Sequence, residues 1–370
     1  MTPNKLTRVA LTLLIAAIAL VARWRAVTLL PIDYDEDDYL RAAQLYVAAI
    51  QRDDWRALSE VTWNYEHPPL AKIAFGVAIA TLPPAPEIPP QGPLAPAATS
   101  LPEPHLTRAR GLSVIFGTLT VWLLALLNPL AGLFLALHTS TIKFTSLVML
   151  EALPALTSAV AVLAYERSQI YIGQRVNGWL ALSAVALGLT VASKYVYGIA
   201  GIAILLHWLY ASRTGARPSW RPMAIWLLLA AAAFFLANPY LWPDPLARLA
   251  GSVRYHAGFS RSFLVEVMNL PFFQPLLWLF MWVPWQPTVF PVGLDPLIAL
   301  CAMLGLRVLW QTRPLYIFWL AAALLFLSIW PTKWPQYIMT LTFPWALAAA
   351  KGAETVVWPW VRRCLPWRRP

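Results

Sequence analysis

Apolar positions run along this chain in blocks long enough to cross a bilayer. Stretches of roughly 17–25 apolar residues are candidate spans. They fall at 8–30, 110–127, 129–145, 147–165, 178–193, 195–210, 222–238, 293–310, 315–330 and 338–351. Several are short and must cross nearly upright. Two long polar connections, 31–109 and 239–292, interrupt the series, and the others are brief. The pattern predicts an all-α polytopic membrane protein of about ten transmembrane helices. A single transmembrane domain is expected over 1–351, followed by a basic cytoplasmic tail over 352–370.

One further apolar stretch, His67–Leu82, is predicted not to cross. It opens on Pro68-Pro69 and ends in Leu82-Pro83-Pro84, which leaves about 14 helical residues, roughly 21 Å. Charge parity agrees. The connections 166–177, 211–221 and 307–314 and the tail all carry Arg and belong on the cytoplasmic side. A crossing at 67–82 would put them outside. With an interfacial helix there instead, the cytoplasmic segments hold 14 of the 28 Lys and Arg and, of the acids, only Glu166 and Glu354. Both long connections then lie on the outer face. The first also holds a helical stretch, Tyr39–Ile50, and a Pro-rich segment, 83–104, read as extended chain without hydrogen-bonded structure. At the start, Arg23-Trp24-Arg25 stands where a small-residue cleavage site would follow the apolar run, so a retained signal anchor is expected.

Composition supports this picture and removes some functions. The chain is 59% hydrophobic and 12% charged, against about 25% charged in soluble proteins. Its two cysteines, Cys301 and Cys364, supply neither a disulfide framework nor a metal set. The net charge of +11 suits anionic membrane lipid. No basic-aromatic module for nucleic acid is present.

The chemistry concentrates in two clusters. Asp33, Asp35, Glu36, Asp37 and Asp38 follow the first apolar block, five of only 17 acids in the chain. Glu66-His67-Pro68-Pro69-Leu70 comes next. Topology gathers these on the outer face with Arg110, Lys143, Glu151, Lys194, Lys333 and Tyr337. Arg110, Lys194 and Lys333 sit at lipid-headgroup depth, where each can meet a phosphate. Carboxylates beside such cations suit glycosyl transfer from a polyprenyl-phosphate sugar. The leaving phosphate monoester, with a second pKa of about 6, departs without a proton, whereas the acceptor hydroxyl needs a base. Asp35 is the expected base, with Glu36 beside it to orient it or to hold a metal. Glu66 and His67 are the other candidate metal ligands, so a divalent cofactor stays open. Glu66, His67, Tyr337, Lys143 and Glu151 are expected to touch substrate, and Glu151 is equally read as an ion pair with Lys143. His138 and His207 are read as packing residues within spans, and His256, beside Arg254 and Tyr255 in the second connection, as a candidate acceptor contact.

The ordered series resembles a known family. Asp35-Glu36, Glu66-His67-Pro68-Pro69-Leu70, Arg110-x-x-Ser113-x-x-x-Gly117, Met149-Leu150-Glu151, Ser193-Lys194-Tyr195 and Lys333-x-x-x-Tyr337 are similar to the pattern of the GT-C membrane glycosyltransferases. Within these, the likeness is to the protein O-mannosyltransferase and aminoarabinose-transferase group, glycosyltransferase family 39. It extends over essentially the whole chain. It implies the GT-C fold, a catalytic Asp at Asp35, and donor-phosphate residues at Arg110, Lys194 and Lys333. Where the family often has a basic residue before the acid of the fourth span, this chain has Ser146, with Lys143 as a substitute. The expected activity is inverting transfer at the outer face of the plasma membrane, onto a protein, glycan or lipid acceptor. A transporter or flippase for a lipid-linked anion, or a non-catalytic assembly subunit, is the alternative.

Overall fold

The computed structural model describes residues 5–90, 97–169, 177–213, 220–283 and 286–364. Among them no strand forms, and eighteen α-helices follow one another: α1 Lys5–Leu29, α2 Glu36–Gln51, α3 Trp55–Glu60, α4 Leu70–Ile79, α5 His105–Leu127, α6 Pro129–Leu137, α7 Thr139–Phe144, α8 Ala152–Ser168, α9 Gly178–Ser193, α10 Ile199–Arg213, α11 Trp220–Leu236, α12 Pro245–Phe259, α13 Phe263–Met268, α14 Gln274–Phe280, α15 Asp295–Thr312, α16 Pro314–Ile329, α17 Met339–Gly352 and α18 Trp358–Cys364. Short 3-10 turns at Tyr195–Gly198 and Pro335–Ile338 lead into α10 and α17.

The protein is an integral membrane protein built as a helical bundle. Among the described residues, three segments are long and apolar enough to cross a membrane by length and composition: Leu6–Leu29, His105–Leu127 and Tyr195–Arg213. Shorter apolar helices, among them α9, α11 and α16, fill the bundle around them. Helix α1 shows how sequence sets its orientation. Thr12, Ile15, Ala19, Arg23 and Ala26, three to four residues apart, are buried, while Leu6, Leu13, Leu14 and Val21 face outward. Helix α17 is buried on all sides and forms the centre. It meets α15 at Gly305 and Gly352, where a Cβ on either glycine would collide with the partner's backbone at Ala348 or Cys301.

The stretch 129–145 does not form one span. Asn128 caps α6 by accepting from Ala131 N at 2.9 Å, and the helix ends after nine residues at an extended His138. The Thr139 amide is then taken by Asp295 at 3.0 Å, so α7 begins a new direction. Similarly, 147–165 becomes helical only from Ala152. Asp295 at the Thr139 amide and Glu36 at the Val148 amide, each reaching in from elsewhere in the chain, interrupt what apolarity alone would continue.

Helix α4, in the stretch 67–82, is ten residues long, about 15 Å and too short to cross. It packs on α2 closely enough that a Cβ on Gly76 would lie 2.8 Å from Ala43 O. The described part of the Pro-rich segment is extended but not free of hydrogen bonds. Arg41 pairs with Glu87 at 2.7 Å and reaches Ile88 O, while Gln44 bonds Pro86 O and Ile88 N. Residues 91–96 lie outside the described residues.

The second long connection is fastened onto the first by one face of α12. Arg248 donates to Ser59 O at 2.5 Å, Ser252 to Tyr65 O at 3.1 Å, and His256 Nε2 meets Glu66 O at 2.9 Å. The three are four residues apart, one helical turn each. Of the Trp-rich stretch 278–285, the part within α14 is helical, and 284–285 lie outside the described residues.

The α15–α17 crossing yields a test. Gly305→Ala should overpack the contact and cost about 1–3 kcal/mol. It should lower the melting temperature of the detergent-solubilised protein, whereas Gly178→Ala, at a glycine with open space around it, should not.

Candidate active site

The acidic run divides its roles between neighbours. Glu36, in the first turn of α2, is fully buried. Its Oε1 accepts from Arg110 Nε at 2.8 Å and Val148 N at 2.7 Å, and its Oε2 from Arg110 Nη2 at 2.5 Å and Asp33 N at 2.9 Å. Arg110 uses its remaining donors on Val27 O, Leu30 O and Pro31 O at 2.9–3.0 Å. Every guanidinium N–H therefore has a protein partner. The phosphate role expected of Arg110, and the orienting or metal role expected of Glu36, would each have to displace some of these bonds.

Asp35 stands one residue before this anchored carboxylate, half-buried and, among the described residues, without an ion-pair partner of its own. The Tyr39 hydroxyl lies 3.4 Å from its Oδ2. Burial pushes its carboxyl up to about 7, against the pull of Lys194. Lys194, at the C-terminal end of α9, is buried and paired with Glu151 rather than free. Its ammonium also stands 5.2 Å from the Tyr337 ring centre. The second oxygen of Glu151 is buried with no partner. Lys143, which one of the two readings of Glu151 paired with it, lies 2.7 Å from Asp33. Lys194, arriving from α9, occupies the Glu151 side.

Around Asp35 the first connection supplies further polar groups. His67 stands 6.2 Å from Tyr39 and 5.2 Å from His256, ring centre to ring centre. Burial, reinforced by Lys194, holds its imidazole well below the usual value and so neutral. Glu66 accepts from the Asn64 amide at 2.8 Å. Lys72, which no sequence pattern singled out, is fully buried and donates to Asn64 O at 2.5 Å and His67 O at 2.8 Å. Its burial lowers its pKa to about 7. Lys333 is buried too, yet its ammonium has no hydrogen bond or ion pair among the described residues; only its carbonyl is engaged, by Trp278 at 3.2 Å.

The structure thus brings Asp35, Glu151, Lys194, His67 and Tyr337 into one electrostatic neighbourhood, places Glu36 and Arg110 behind it, and adds Tyr39, Lys72 and His256. Glu36, Glu66 and His67 form no shared ligand set. Among the described residues no three His, Cys, Asp or Glu gather as for a metal ion. His138 and His207 stay in the bundle, His207 Nδ1 within 3.1 Å of the Tyr165 hydroxyl and His138 beside Asp295 at 3.3 Å.

No protein-family model and no curated protein matches this chain. Solved structures do. ArnT from Cupriavidus metallidurans, bound to undecaprenyl phosphate, superposes over 95% of this chain at 17% identity with a TM-score of 0.63. The same protein in its apo state gives 16% identity and the same TM-score. The fold is that of the GT-C glycosyltransferases. This chain spans 61% of the length of those ArnT chains. A smaller overlap, 67% of this chain and 35% of the other at 19% identity and a TM-score of 0.46, exists with the S. cerevisiae protein O-mannosyltransferase Pmt1–Pmt2 complex bound to the sugar donor.

The role of Arg110 in this GT-C fold can be measured. Arg110→Ala should strand Glu36 and the end of α1, a loss of about 3–5 kcal/mol for a broken buried pair. A fall in thermal stability with Glu36→Gln partly mimicking it is the expected result; unchanged melting with weakened lipid-phosphate binding would return Arg110 to the phosphate site.

Proposed function

We propose that this protein is an inverting glycosyltransferase that moves a sugar from a polyprenyl-phosphate donor to an acceptor hydroxyl at the outer face of the cell membrane. The observation that carries the reading is Asp35, a carboxylate left open beside a fully engaged one and pushed up to about 7. A base with that affinity for protons is matched to neutral pH. The acceptor O–H gives its proton to Asp35, and the acceptor oxygen forms a bond to the anomeric carbon. The bond from that carbon to the phosphate oxygen breaks on the opposite side. The polyprenyl phosphate leaves with the electron pair, and the configuration inverts.

Cations must offset the charge that develops on the phosphate. Lys333, buried without a counter-ion, is the phosphate residue best suited to that task. Lys194, with two ammonium donors beyond the one facing Glu151, assists it. Glu151 and Tyr337 hold Lys194 in place. The similarity to ArnT, a protein solved with undecaprenyl phosphate, supports a polyprenyl carrier. The basic connections 166–177 and 211–221, the tail 352–370, and the two long connections at the opposite end support the outer-face orientation.

Asp35→Asn should lower turnover by about 10²–10⁴-fold, the contribution of a positioned base, while thermal stability and donor binding persist. Mass spectrometry of host lipids and envelope glycans should then show a polyprenyl-phosphate sugar accumulating and a glycan lacking that sugar. Identical profiles with folded mutant protein present would refute the transferase reading.

The pH profile gives a second check. Asp35 must be deprotonated to act, so activity is present above its pKa and lost as pH falls through it. The acid limb of kcat/KM should therefore lie near pH 7 rather than near 4, and should vanish from the residual rate of Asp35→Asn.

A further inference from the structure

A continuous band of Tyr and His rings leaves the Asp35 site and runs toward the second long connection. Tyr39, buried against Asp35, faces His67 at 6.2 Å; His67 faces His256 at 5.2 Å; His256 faces Tyr255 at 5.9 Å. Tyr65 continues it, 5.9 Å from both Tyr255 and Tyr240. Exposure rises outward, from 3% at Tyr39 to 39% at Tyr255. The His256 and Tyr65 ends are held in register by the α12 fastening, through Glu66 O and Tyr65 O.

We propose that this band docks the acceptor, and that the acceptor is a neutral saccharide chain. The inference rests on the transferase reading above. Each ring offers a flat apolar face with a polar rim, which matches the C–H faces and hydroxyl edges of a sugar. Tyr195 joins the band, its ring 6.4 Å from that of His256, and its hydroxyl meets Ser252 and Asn238.

Charge argues against an anionic acceptor. Arg248 gives Nη1 to the carbonyls of Ser59 and Tyr240, Lys72 is held by those of Asn64 and His67, and Lys194, which faces both imidazoles, is paired with Glu151. Burial lowers both imidazoles below the usual value, so they stay neutral. The acids nearest the band, Glu66 and Asp38, accept hydroxyl hydrogens and repel phosphate. Beside Asp35 the band delivers a sugar hydroxyl to the base.

The test uses the full-length protein in nanodiscs and fluorescein-labelled neutral tetrasaccharides of glucose, mannose and galactose. At least one should bind, and Tyr255→Ala should weaken it about tenfold, while Tyr255→Phe retains it. Undecaprenyl phosphate affinity should be unchanged in both. Asp35→Asn should still bind the saccharide, so loss of transfer and loss of docking are separable. Three results would overturn the proposal. The first is no binding by any tetrasaccharide. The second is Tyr255→Ala weakening undecaprenyl phosphate, which would make the band a lining for the donor chain. The third is Tyr255→Ala weakening a Ser/Thr peptide while saccharides bind equally to both proteins, which would make the acceptor polypeptide.

Discussion

The Glu36–Arg110 pair is the interaction on which the loop-bearing end of this fold depends. A helix leaves its last carbonyls without partners, and α1 ends where Val27, Leu30 and Pro31 present theirs to Arg110. The same guanidinium grips Glu36, and Glu36 in turn holds the amides of Asp33 and Val148. One buried ion pair thereby joins the end of α1, the start of α2, the α5 helix and the segment before α8. Taking two charges out of water is costly, and such a pair is tolerable only when its lone pairs and protons are all met. Here they are. The return is geometric: Asp35 follows α1 through a turn whose two ends are both fixed.

The remaining charges at this end obey the same economy in different degrees. Lys72 is neutralised by carbonyls rather than by a carboxylate at hydrogen-bond distance. Lys143 takes Asp33, and Lys194 takes one oxygen of Glu151. Among the described residues Asp35 has no ion-pair partner, and the second oxygen of Glu151 is buried without a hydrogen bond. A buried group left unmatched costs free energy.

Much of this was legible in the sequence, and the failures have physical causes. The apolar blocks announced a helical membrane fold, and the prolines around 67–82 marked a helix too short to cross. The acidic run pointed to the candidate site, because five carboxylates at a membrane exit are expensive without a purpose. Composition could not say that Glu36 would be anchored and Asp35 left open. Depth alone put Arg110 among the phosphate residues and did not reveal that the end of α1 also takes its donors. The 129–145 block read as one span because periodicity cannot see Asp295 reaching Thr139 from 156 residues away. Lys72 hid in an apolar run. His256 had a usable signal: with Arg248 and Ser252 it forms a polar row at one-turn spacing on an otherwise apolar helix.

Electrostatics at Asp35 explains why Glu151 belongs beside a lysine that is expected to serve an anion. A lone Lys194 near Asp35 would favour its ionised form and draw its pKa down toward that of an ordinary carboxylate. Such a group would be ionised at neutral pH but a feeble base. Burial acts in the opposite sense and is the largest influence, and Glu151, Asp33 and Asp38 each add to it. Glu151 thus does two things at once. It partly cancels the field of Lys194 at Asp35, and it keeps that cation in a buried position that an unpaired ammonium would leave. Arrival of a phosphate would shift this balance further in the same direction, because a second anion near Asp35 raises its affinity for a proton. On the proposed reading, donor binding would itself strengthen the base that the acceptor requires.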